Sequence, residues 1–170
     1  MRAVVHLLLL AAFALPAHAE KVKFAKDRFS IEIPAEWKKG NGPDDGNILY
    51  RNAPDGNGTF SVYQLAVAKD HKANLQGTLE SRVKALAKSG LVVTAEVKGQ
   101  TQTFDGKPAV FGVIPVEAKL GKDTIKFRYY LVLIDAKDTV VIMQAALPSP
   151  LPDKIRESAL EIIQSFREKE

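Results

Sequence analysis

Tyr129-Tyr130-Leu131-Val132-Leu133-Ile134 and Val140-Val141-Ile142-Met143-Gln144-Ala145-Ala146-Leu147 decide the fold of this chain. Successive side chains of a β-strand point to opposite faces, so a strand with one wet face alternates apolar and polar residues. Here nearly every position is apolar, which requires cover on both faces. The short link Ala136-Lys137-Asp138 suits a hairpin, because a parallel return needs a crossover of a dozen or more residues.

Working outward, Thr124 to Asp135, Pro108 to Leu120 and Leu91 to Phe104 read as further strands, joined by Gly121-Lys122 and Asp105-Gly106. Turns this short predict an antiparallel meander ending in Thr139 to Leu147. Upstream, Phe29-Ser30-Ile31-Glu32-Ile33 alternates with period two until Pro34. Lys39 to Asp45 reads as a loop, Ile48 to Arg51 as a short strand, and the turn Asn52 to Gly58 leads into a strand over Thr59 to Ala68.

Two helices supply the cover. Asn74 caps a helix whose stripe is Leu75, Leu79, Val83 and Leu86, closed by Gly90. After Pro148, Pro150 and Pro152, a helix from Asp153 to Glu168 presents Ile155, Ala159, Ile162, Ile163 and Phe166 on one side, with Arg167 to Glu170 expected to be exposed. The predicted class is α+β, a central antiparallel β-sheet flanked by helices on both faces, an α/β/α sandwich.

The N-terminus has a different character. Arg2 precedes an apolar run from Val4 to Leu15 broken only by His6, then Pro16 and Ala17-His18-Ala19. A bilayer span needs roughly 20 apolar residues, so the run suits the core of a signal peptide, with cleavage between Ala19 and Glu20. Residues 1–19 are thus expected to leave, and 20–170 to form one domain of about 150 residues, enough for a core of its own. No later segment is apolar enough to span a membrane. The signal points to a periplasmic protein, with secretion as the alternative. The chain has no cysteine, which excludes disulfides and a lipoprotein anchor. Its 24 basic and 20 acidic side chains are intermixed, unlike the concentrated basic face of a nucleic-acid binder.

Arg28-Phe29-Ser30-Ile31-Glu32-Ile33-Pro34-Ala35-Glu36-Trp37, a strand followed by a proline and a tryptophan, resembles the opening of PsbP-like domains. A hairpin, a helix, the Gly106-Lys107-Pro108-Ala109 approach to long strands and a closing helix with Ser165-Phe166-Arg167 follow in the matching order. The family includes the extrinsic PsbP subunit of photosystem II and DcrB-type bacterial envelope proteins. The resemblance implies a helix-flanked antiparallel sheet in proteins that mostly act as accessory or binding subunits. It carries no catalytic position over to this chain.

Of the three histidines only His71 lies beyond the leader, and there is no thiol. A cysteine nucleophile and a multi-histidine zinc site are therefore excluded. His71, in Lys69-Asp70-His71-Lys72, reads as a loop histidine, with a Ser-His-Asp base as the sharper alternative. Asp44 and Asp45 sit together in a Gly-rich loop, with Asp55 on the next turn. Such residues serve turns, and they also suit a carboxylate pair or a hard cation. Trp37, the single tryptophan, either closes the core or stands out as an anchor for a partner. Lys126, Arg128 and Tyr130 share a strand face and form either a small basic-aromatic patch or a solvated strand end.

The preferred expectation is a non-catalytic exported accessory or binding protein of the bacterial envelope, acting through protein contacts, with no cofactor, metal or nucleic acid. The alternative is a small-ligand binder, or a carboxylate-dependent hydrolase, using a cleft between sheet and helix.

Overall fold

The computed structural model describes residues 19–42, 46–68, 72–150 and 152–169. The chain runs β1 (Ala19–Phe24), β2 (Phe29–Pro34), β3 (Lys38–Lys39), β4 (Asn47–Asn52) and β5 (Thr59–Ala66), then α1 (Leu75–Lys88). It continues with β6 (Val92–Val93), β7 (Gln100–Phe104), β8 (Lys107–Leu120), β9 (Asp123–Asp135), β10 (Thr139–Pro148), α2 (Asp153–Gln164) and β11 (Arg167–Glu168).

The large sheet has the order β3-β4-β5-β10-β9-β8-β6, with β7 also paired to β8, and every pairing is antiparallel. β9 and β10 lie at its centre, where Val140 faces Asp135 and Leu147 faces Arg128. This position explains their unbroken apolar sequence: Leu131, Val132, Leu133 and Ile134 are all 0% exposed.

Each face has its own core. Leu131, Leu133, Val140 and Ile142 pack with Leu79 of α1. Tyr130, Val132, Ile134, Val141 and Met143 pack on the opposite side with Ala159, Ile162 and Ile163 of α2 and with Phe29, Ile31 and Ile33 of β2. The second face is covered jointly by α2 and by a small sheet in the order β1-β2-β11. The helix-flanked antiparallel architecture expected from the sequence is the one observed.

Local chemistry sets the element ends. The Asn74 side chain accepts a 2.9 Å hydrogen bond from the Gly77 amide, capping α1. Asp105 and Gly106, with φ of 50° and 72°, make the tight turn between β7 and β8.

Three expectations need correction. The strand predicted over Leu91 to Phe104 is two strands, because the intervening chain squeezes past α1. A β-carbon on Gly99 would lie 2.4 Å from Gln76 Oε1 and 2.6 Å from Val110 Cγ1. Lys39, expected in a loop, pairs with Arg51 in β3. The final helix ends at Gln164 rather than Glu168, because the Ser165 hydroxyl accepts a hydrogen bond from the Glu32 amide (2.8 Å) and Phe166 turns into the core.

The residues after α2 therefore form β11 on β2, with Arg167 opposite Ser30 and Glu168 opposite Phe29. Glu168 is not a solvated tail residue: it pairs with Arg28 at 2.7 Å and with Lys107. Burial alone would raise its carboxyl, but the hydrogen bonds from Lys107 and Arg28 outweigh it and hold the group below the usual glutamate range. Arg28 also binds Asp138 at 2.6 Å and the Ala136 carbonyl at 2.7 Å. One guanidinium thus joins the small sheet to the β9–β10 turn.

Candidate functional site: a basic groove between two sheet edges

Among the described residues β1 pairs only with β2, and β3 only with β4, so each is the edge strand of its own sheet. Between these edges runs an open groove of about 810 Å³. Glu20, Val22, Lys23 and Phe24 line it from β1, Trp37 to Gly42 from the β3 side, and Ile48 to Arg51 from β4.

The floor is rigid. The chain turns after β2 with the Trp37 amide bonded to the Pro34 carbonyl at 2.9 Å, which drives the indole inward. Trp37 is 3% exposed, meets Phe60 edge-on at 6.4 Å, and donates from Nε1 to Ser158 Oγ of α2 at 2.9 Å. Gly40 lets the β3 edge come close to β4: a β-carbon there would lie 2.6 Å from Asn52 Nδ2 and 2.9 Å from the Tyr50 ring.

The groove is also charged. Lys23, Lys38, Lys39 and Arg51 contribute four cations, against the single carboxylate of Glu20 among the described lining residues. Lys38 and Lys39 are exposed, as is common on an edge strand that must not pair at random. Arg51 differs from them. It lies on the same face of β4 as Leu49 and is only 9% exposed. Its Nη1 donates to the Tyr50 carbonyl at 3.2 Å, and its Nη2 stands 3.8 Å from Glu20 Oε2. That second contact is an ion pair too long for a hydrogen bond.

The sequence-derived candidates are not brought together. Trp37 is at the groove floor as a core residue rather than a protruding anchor. Tyr130 is 6% exposed within the core, so it does not join Lys126 and Arg128 in an exposed patch. Those two side chains are exposed at the outer end of β9, and Lys126 faces Glu117 at 3.4 Å. β10 and β5 separate them from β4. Asp44, Asp45 and His71 lie outside the described residues, as does the apolar run Val4 to Leu15, whereas Ala19 and Glu20 open β1. Among the described residues no three His, Cys, Asp or Glu side chains gather into a metal-binding group.

Sequence reasoning missed Arg51, Lys23, Lys38 and Lys39. In Ile48-Leu49-Tyr50-Arg51 three consecutive apolar residues hide which face is inward. Knowing that Leu49 is buried would have placed Arg51 beside it, two residues on.

Comparison with solved structures relates the fold to known proteins. The solution structure of cyanobacterial PsbP (CyanoP) from Synechocystis aligns over 95% of this chain and 99% of its own, with a TM-score of 0.66 and 12% identity. The chain has the PsbP-like fold. A crystal structure from Bacteroides thetaiotaomicron also matches, with a TM-score of 0.61 and 11% identity over 90% of this chain. That match spans about half of the Bacteroides chain, at 49%. No protein-family model matches the sequence, and no curated protein matches it significantly. At these identities the PsbP-like fold is what the likeness shows, and site residues must be argued from this chain alone.

Proposed function

We propose that this chain is an exported, non-catalytic binding protein of the bacterial envelope that holds a partner protein in the groove between β1 and β3–β4. The observation that carries the reading is that two open sheet edges, β1 and β3, line one groove. An extended segment laid there gains main-chain hydrogen bonds from an unpaired edge and side-chain contacts from the floor. The apolar run and Ala17-His18-Ala19 preceding β1 support export. No helix among the described residues is long and apolar enough to cross a membrane.

A photo-cross-linking amino acid placed at Lys39, exposed on β3, tests this in the native cell. The proposal expects a discrete protein adduct from position 39 and none from Lys88, on α1 across the large sheet. Adducts from Lys88 with none from Lys39 would refute it.

A further inference from the structure

Resting on the groove reading above, we infer that Arg51 is a carboxylate anchor, and that the groove's occupant is an extended partner segment carrying acidic side chains. A guanidinium offers five N–H donors in a planar fork that matches the two oxygens of a carboxylate. Among the described residues the Arg51 guanidinium makes one hydrogen bond, to the Tyr50 carbonyl, and the nearest recorded carboxylate, that of Glu20, stops at 3.8 Å. Arg51 is itself a lining residue of the groove, so an occupant lying there reaches its guanidinium.

A charge this deeply withdrawn from water is costly unless it is well paired. Glu20 is a weak pairing, because its side chain is 70% exposed and solvated. A ligand carboxylate seated bidentately on the fork replaces a long contact by two short, charge-assisted ones. Lys23, Lys38 and Lys39 line the same groove and add positive charge along it, which favours several acidic side chains over one.

The groove's form selects a side-chain carboxylate on a continuous strand. It is an open channel along two strand edges rather than a blind pocket. In an extended segment every second side chain points the same way, so alternate acidic residues all face the floor.

The test measures binding of the mature protein to three fluorescent heptapeptides. The first alternates valine and glutamate and has both ends blocked, the second carries glutamine for glutamate, and the third is the glutamine peptide with a free terminal carboxylate. Only the first should bind well, at least tenfold more tightly than the others, with affinity falling steeply as salt rises. Arg51→Met should lower that affinity tenfold or more. Glu20→Gln, at an exposed position that does not threaten folding, should raise it severalfold by removing the internal competitor. Equal affinity for the glutamate and glutamine peptides, preference for the terminal carboxylate, or unchanged binding by Glu20→Gln overturns the inference. Because the adduct from position 39 reads groove occupancy independently, the carboxylate anchor can fail while the groove reading stands.

Discussion

The indole nitrogen of Trp37 donates a 2.9 Å hydrogen bond to Ser158 Oγ, fastening the floor of the groove to α2 across the second face of the sheet. Because the indole is buried, removing its acceptor leaves an N–H without a partner. Ser158→Ala is expected to cost about 1–2 kcal/mol in urea unfolding. In a Trp37→Phe background the same change should cost almost nothing. Additive losses would show that the bond is not what Ser158 contributes.

Leu79 is the fully buried side chain of α1, packed against Gly112 of β8, whose hypothetical β-carbon would lie 3.2 Å from both Leu79 δ-carbons. Leu79→Ala should cost about 2–5 kcal/mol, read from the denaturation midpoint, because a cavity opens under the helix. An exposed neighbour such as Lys84→Ala should change stability little.

The carboxyls of Glu168 and Asp138 are both held low in the folded state. For Asp138 the chief cause is the hydrogen bond from Arg28. For Glu168, bonds from Lys107 and Arg28 overcome burial. A depressed carboxyl contributes stability above its unfolded pKa and loses that contribution as pH falls through its folded value. Stability should therefore hold near neutrality and decline below about pH 4. Glu168→Gln should be less stable at pH 7 and show a shallower acid decline; an unchanged acid profile would remove Glu168 as its source.

The β1–β2 turn passes through Ala25, Lys26 and Asp27 with φ of 54°, 56° and 65°. Left-handed backbone costs a side-chain-bearing residue about 1 kcal/mol, which glycine avoids. Lys26→Gly should raise the melting temperature, because Lys26 is exposed and sits at a φ of 56° that glycine adopts without penalty. A lowered melting temperature would contradict this turn geometry.

Signal processing between Ala19 and Glu20 predicts that intact-mass measurement of protein from the periplasmic fraction finds a chain starting at Glu20. Glu20 would then begin β1, still opposite Ile33. A chain retaining residues 1–19 would contradict export by this leader.

The central sheet was legible because the second half of β9 and most of β10 are apolar at consecutive positions and are joined by a link too short for anything but a hairpin. The helices were legible because their stripes repeat with helical spacing. β1 was not, since Glu20-Lys21-Val22-Lys23-Phe24 follows the apolar N-terminal run and carries three charges on a short strand. β11 was equally hidden, because Arg167-Glu168 continues a helical pattern and becomes a strand only through pairing with β2. The groove depends on two edges distant in sequence, and Arg51 acquires its meaning from Glu20 and Tyr50 around it. Charged residues whose role comes from tertiary placement leave little local trace.

Hydrogen exchange on the mature protein, alone and bound to the partner captured at position 39, reads whether the occupant lies along β1 and β3. Occupancy of the groove predicts slowed exchange at residues 22–24 and 38–42 and in β4, with α1 and the β8–β9 hairpin unchanged. Protection confined to α1 or to that hairpin, with β1 and β3 exchanging as in the free protein, would contradict it.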